Sequence, residues 1–188
     1  MRHPLSDAPR GAGVGPAAQG VLVIGVGNAY RCDDAAGLVA ARRLCETAGA
    51  GEMLREASGE GTALMDAWEG AEAVILIDAV RSGAPAGTVY RLDARAETVP
   101  LAWFRYSTHA FSVAEAIALA RALNRLPPRL IVFAVEGERF GAGVGLSPGV
   151  ERAVDELVRR GLQEIDRITR NSREPWLARG PVVFPWAR

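Results

Sequence analysis

The chain has 188 residues, of which 49% are hydrophobic and 23% are charged, and its 22 basic side chains balance 22 acidic ones. This length and composition predict one globular domain, and the charge balance gives no general attraction to nucleic acid or to an anionic membrane. All 22 basic residues are arginine. The absence of lysine excludes a P-loop lysine, a Schiff-base lysine and a Ser–Lys catalytic pair.

The cysteine content and the hydropathy pattern bear on the cellular compartment. Cys32 and Cys45 are too few for a structural zinc site or a disulfide scaffold, and they do not form a C-x-x-C motif. The first 20 residues lack the apolar run of a signal peptide, and no stretch of about 18 uninterrupted apolar residues follows. We therefore expect a cytoplasmic protein.

The sequence divides into three segments. Residues 1–20 are rich in glycine, alanine and proline and predict a flexible leader. Residues 21–170 predict a single domain, and residues 171–188, which carry three prolines and two tryptophans, predict an irregular tail.

Short apolar runs predict the strands, in chain order, at residues 21–28, 52–57, 73–80, 87–92 and 130–136. The run AVILIDAV at 73–80 is the clearest, the one at 52–57 is weak, and the one at 87–92 suits a sheet edge. Predicted helices alternate with these strands, so the order predicts a three-layer α/β/α domain with a twisted, largely parallel sheet of about five strands.

Helix starts are indicated by capping residues. Ser112 with Glu115 three positions later forms a capping box for a helix that runs to about residue 123. Ser147 is expected to cap a long last helix that has Pro148 at its first position.

In open α/β sheets, ligands bind beyond the carboxyl ends of the parallel strands, and three polar side chains are predicted to lie there. Asp34 follows the first predicted strand, Asp78 lies at the end of the third, and His109 precedes the capping box. Two carboxylates and an imidazole suit a borderline divalent metal such as nickel or zinc. Each has a structural alternative: Asp34 as a helix cap, Asp78 as a strand-end turn residue and His109 as a loop histidine.

Other motifs are incomplete. Gly25-Val26-Gly27 lacks the third glycine of a dinucleotide-binding loop, because Tyr30 stands at that position. The string G-x-S-x-G around Ser147 lacks the N–H that an oxyanion hole needs, because Pro148 follows the serine. Cys32 with His109 as nucleophile and base stays open as an alternative hydrolase site.

Together these residues resemble the hydrogenase maturation protease family. The resemblance runs from about residue 21 to residue 160. It rests on the following motifs, in order: Gly25-Val26-Gly27-Asn28, Arg31-Cys32-Asp33-Asp34, Ile77-Asp78-Ala79, Ser107-Thr108-His109, Val135-Glu136-Gly137 and Gly145-Leu146-Ser147-Pro148. At the position of Asp34 the family carries either Glu or Asp. The chain departs from the family pattern where Glu60 occupies a turn that usually carries Asp.

The resemblance implies a cytoplasmic endopeptidase that removes the C-terminal extension of a nickel–iron hydrogenase large-subunit precursor after nickel insertion. It places metal contact at Asp34, Asp78 and His109, with nickel supplied by the precursor and other divalent metals possible. Metal polarisation and general-base catalysis by Asp34 or Asp78 both stay open. The alternative is a non-catalytic checkpoint module that binds the metal centre of the precursor.

Overall fold

The computed structural model describes residues 20–104 and 112–173, and these form one five-stranded sheet with helices on both faces. The strands are β1 (Val21–Val26), β2 (Leu54–Ala57), β3 (Ala73–Val80), β4 (Val89–Asp93) and β5 (Arg129–Glu136). The helices are α1 (Ala36–Ala48), α2 (Gly61–Ala67), α3 (Val113–Ala122) and α4 (Pro148–Arg173).

The sheet has the strand order β2-β1-β3-β5-β4, in which only β4 pairs antiparallel, at the edge. The predicted α/β/α class with a largely parallel sheet is therefore confirmed, as is the edge position of the fourth strand. The chain leaves β1 towards β2 on one side and continues through β3 on the other. The carboxyl ends of β1 and β3 thus flank the topological switch point, where open α/β sheets form their crevice.

The side chains of β3 alternate between two apolar cores. Ile75 and Ile77 pack in a core with α1 and α4, whereas Val74 and Leu76 pack with α2 and α3. Asp78 follows Val74 and Leu76 at a spacing of two residues, so its side chain lies on the same face of the sheet, towards α2 and α3. Register pairs Ile77 with Gly25, which brings Asp78 level with the end of β1.

Several predicted boundaries shift in the structure. Residues 52–53 belong to a 3-10 turn, Gly51–Met53, and β2 begins only at Leu54. A second 3-10 turn, Cys32–Ala35, precedes α1. Helix α4 continues to Arg173, three residues into the segment predicted as tail. The rest of that tail and the predicted leader, apart from Gly20, lie outside the described residues.

The two predicted caps have different outcomes. Ser112 and Glu115 form the complete capping box at the start of α3. Helix α4 begins at Pro148 as predicted, but the prediction that the Ser147 side chain caps it is wrong: the buried hydroxyl oxygen accepts no backbone N–H of the helix. The backbone of Ser147 acts instead, since its carbonyl oxygen accepts the Glu151 N–H at 2.9 Å.

Within the parts of the chain that the structure describes, no helix combines the length and the hydropathy that crossing a membrane requires.

Candidate active site

A small pocket opens at the switch point between β1 and β3. It leaves about 20 Å³ for the centre of a water-sized group, which is room for one ion or one water. Asp34 and Asp78 both line it, so the structure brings together two of the three residues predicted from sequence. The other lining residues are Val26, Gly27, Ser58, Ala79, Val80, Arg81, Trp103, Phe104 and Phe140.

Glycines allow the turn that carries Asp34 to lie directly on the strand ends. A Cβ at Gly27, whose φ is 142°, would collide with the carbonyl oxygen of Asp34. A Cβ at Gly37 would collide with the carbonyl oxygens of Val26 and Ile77. The glycines that resemble part of a dinucleotide loop therefore serve close packing of backbone on backbone, which only glycine permits here.

Asp78 is almost fully buried, with 7% of its surface exposed. Burial raises the pKa of Asp78 well above its usual range, and the negative charge of Asp34 raises it further. The Ala79 N–H donates to Asp78 Oδ1 at 2.8 Å and opposes these effects only in part. Two carboxyl side chains thus line one pocket, and burial together with the charge of Asp34 favours the neutral, protonated form of Asp78.

Asp34 does not cap a helix. The residue that precedes α1 is Ala35, and no side chain accepts a hydrogen bond at that N-terminus. The Arg31 Nε lies 3.8 Å from Asp34 Oδ2, and the same guanidinium donates to the Phe140 carbonyl oxygen at 2.9 Å. The alternative assignment of Asp34 as a helix cap is therefore wrong, and its carboxylate is directed to the pocket.

Asp33, one residue earlier, has a different role. It is fully buried and accepts three backbone N–H groups, from Glu138 at 2.9 Å, Arg139 at 2.8 Å and Ser147 at 2.6 Å. Burial alone would raise the pKa of Asp33, but these donors lower it below its ordinary value. Asp33 therefore fastens residues 138–147 to the turn that carries Asp34.

Glu136 fixes the turn that follows β3. Its buried carboxylate accepts the N–H groups of Ser82 and Gly83 and the Ser82 hydroxyl at 2.7 to 3.0 Å. The Ser82 hydroxyl also lies 2.8 Å from the Tyr90 hydroxyl. The Val135-Glu136-Gly137 motif thus supports the rim of the pocket, which Arg81 lines next to this turn.

Sequence reasoning missed the aromatic wall of the pocket. Trp103 and Phe104 come from a 3-10 turn, Leu101–Phe104, and Phe140 comes from the loop after β5. The Arg81 guanidinium carbon lies 5.7 Å from the centre of the Phe140 ring. No motif marks these residues, because they reach the pocket only through long-range packing.

His109 lies outside the described residues. The last residue described before it, Phe104, lines the pocket, and the first described after it, Ser112, begins the capping box. Among the residues that the structure describes, no group of three His, Cys, Asp or Glu side chains is arranged to hold a metal ion. The described part of the site thus contributes a pair of carboxylates.

Cys32 is a buried residue of the 3-10 turn, 8% exposed, and it is not among the residues that line the pocket. Its backbone N–H donates to the Gly143 carbonyl oxygen at 3.0 Å. We expect Cys32→Ala to retain cleavage within about twofold of the wild-type rate, because a nucleophile must reach the substrate. An assay of precursor cleavage by the wild type and by Cys32→Ala checks this. Loss of activity in a variant that still folds would restore the cysteine hydrolase alternative.

The fold and the pocket define an α/β protein with two carboxyl side chains in a pocket at the switch point of its sheet. Comparison with known sequences is more specific. Residues 52–164 match the family model described as hydrogenase maturation protease. The hydrogenase expression/formation protein HupD of Rhodobacter capsulatus is 30% identical over 152 residues, which cover 77% of this chain and 70% of HupD. The chain belongs to the hydrogenase maturation protease family, and it is a hydrolase of that endopeptidase class.

Solved structures share the fold. The hydrogenase maturating endopeptidase HybD of Escherichia coli superposes with a TM-score of 0.60 at 21% identity, covering 79% of this chain and 93% of that one. The [NiFe] hydrogenase maturation protease HybD of Thermococcus kodakarensis gives a TM-score of 0.57 at 22% identity, with coverage of 77% and 98%.

Proposed function

We propose that the protein removes the C-terminal extension of a nickel–iron hydrogenase large-subunit precursor, in the cytoplasm, after nickel has been inserted. Membership of the maturation protease family supports the reaction. The observation that carries the proposal for the site is that Asp34 and Asp78 face the same small pocket at the switch point.

The pocket suits contact with a metal ion that the precursor carries. Burial and the charge of Asp34 disfavour the ionised form of Asp78, and the free space of the pocket matches a single ion. A divalent cation between the two side chains would favour the ionised form of Asp78 and attract both carboxylates. His109, which the motif order places before α3, is the third ligand in this proposal. Nickel is then part of the substrate, although the donor set also suits other divalent metals.

This arrangement makes nickel a recognition signal. A precursor without nickel lacks the cation that Asp34 and Asp78 would contact and would bind weakly, whereas the loaded precursor gains a contact that only the finished metal centre offers. Selectivity then rests on a difference in affinity between loaded and unloaded substrate. Cleavage before nickel insertion is avoided without a separate sensor.

The test is to incubate the protein with nickel-loaded and nickel-free large-subunit precursor and to measure the precursor mass. We expect loss of a C-terminal peptide from the loaded form alone. Equal cleavage of both forms would contradict the role of nickel. Tight binding of the loaded form without any cleavage would contradict the proposed reaction and favour the checkpoint module.

A further inference from the structure

Two exposed apolar side chains lie on chain segments that border the pocket. Tyr30 is 76% exposed and Val144 is 75% exposed, the highest values for large hydrophobic side chains in the described ranges. Isolated exposed apolar side chains are common on protein surfaces and need no explanation. These two differ because they lie on chain segments that pair with each other. We refer to them as the Tyr30–Val144 patch.

Backbone hydrogen bonds join the two segments. The Gly143 N–H donates to the Tyr30 carbonyl oxygen at 2.9 Å, and the Cys32 N–H donates to the Gly143 carbonyl oxygen at 3.0 Å. Together they form a parallel bridge between Arg31 and Gly143. Tyr30 therefore precedes the bridge on one segment, and Val144 follows it on the other.

Side-chain hydrogen bonds also fix the two segments that form the bridge. The Asp33 carboxylate accepts the backbone N–H groups at both ends of residues 138–147, and Arg31 donates to the Phe140 carbonyl oxygen. Asn28 Oδ1 accepts the Tyr30 N–H at 2.9 Å. A surface fixed in this way loses little conformational freedom when a partner binds, which favours affinity.

The two segments that carry the patch also contribute residues to the pocket. The segment that carries Tyr30 connects Gly27 with Asp34, and both of these residues line the pocket. The loop that carries Val144 also carries Phe140, which lines the pocket from the other side. These two segments thus form one side of the pocket, along which a polypeptide that presents a bond to Asp34 and Asp78 can lie.

We propose that the Tyr30–Val144 patch binds an extended apolar segment of the precursor polypeptide next to the bond that is cut. This inference rests on the proposed function, because it takes the polypeptide substrate as the occupant. A pocket with room for one ion cannot by itself distinguish one polypeptide from another. Tyrosine is enriched among the residues that dominate binding, and Val144 adds apolar area on the paired segment. The fixed backbone of both segments lowers the entropic cost of binding.

The test compares cleavage of nickel-loaded precursor by the wild type and by Tyr30→Ser, Val144→Ser and the double variant. Leu123→Ser is the matched control: Leu123 is 53% exposed and lies at the C-terminal end of α3, before the start of β5 and away from the pocket. We expect the double variant to raise KM about tenfold. The kcat should stay within about twofold, the control should match the wild type, and Tm should not change.

The outcomes separate the two proposals. Wild-type cleavage with an unchanged KM in the double variant would overturn the patch alone. Failure of the wild type to cleave any precursor would overturn the proposed function and the patch with it. A wild-type dimer in sedimentation that the double variant abolishes, with KM unchanged, would assign the patch to a second copy of the chain and overturn its role with substrate.

Discussion

Asp78→Asn should lower the rate of precursor cleavage by about 10²-fold or more while the protein folds as stably as the wild type. The amide keeps the shape of the buried side chain but cannot bind a cation as a carboxylate does or accept a proton as a general base. The variant also removes a carboxyl group whose ionised form is opposed by burial and by Asp34. We therefore expect Tm to stay the same or to rise, and single-turnover cleavage with thermal unfolding measures both effects.

Asp155→Asn is the control for the charge change. Its side chain is 80% exposed on α4 and pairs with Arg43 at 3.4 Å, on the part of the helix layer that packs beside α1. Such an exposed pair contributes little to stability, and we expect cleavage at the wild-type rate. Wild-type cleavage by Asp78→Asn would show that the reaction does not depend on this carboxyl group.

The combination of lost activity with unchanged or higher stability is informative in itself. A residue retained only for packing would lower stability when it is replaced, since cores are close-packed. A buried carboxyl group beside another one lowers the free energy of unfolding, so its presence points to a role other than stability. Loss of activity in Asp78→Asn with unchanged or higher stability would therefore show that Asp78 serves function and not stability in a strand whose other residues are apolar.

Much of the fold could be predicted because burial leaves a local signal. The eight residues of β3 are all buried, and a run that is apolar except for Asp78 predicted both ends of the strand correctly. Strand β2 lies at the other edge of the sheet with its residues exposed or half-buried, so its sequence carries little pattern. The prediction there began two residues early, inside the 3-10 turn.

The site was predictable only in part, for a related reason. Strand context identified Asp78, and its position after the first strand identified Asp34. The different roles of Asp33 and Asp34 could not be predicted, because they depend on donors more than a hundred residues away. Likewise, the hydrogen bond from the Ser147 N–H to Asp33 joins residues 114 positions apart, and no local pattern predicts it.

Asp33→Ala should cost about 2–4 kcal/mol of unfolding free energy, because three backbone N–H groups lose a charged acceptor. Urea unfolding at neutral pH measures the change. Cleavage should fall as well, since residues 138–147 would no longer be fastened to the turn that carries Asp34. A loss below about 0.5 kcal/mol would show that the loop does not depend on this anchor.

Asp34→Asn is the matched variant one residue away. Asp34 is half-buried at the pocket, and the amide keeps its shape, so we expect full stability with cleavage lowered as far as in Asp78→Asn. Two adjacent aspartates should therefore separate into one that stabilises the loop and one that serves the reaction. If both variants lost stability equally, the division between anchor and pocket residue would be wrong, and the pair would act as one structural unit.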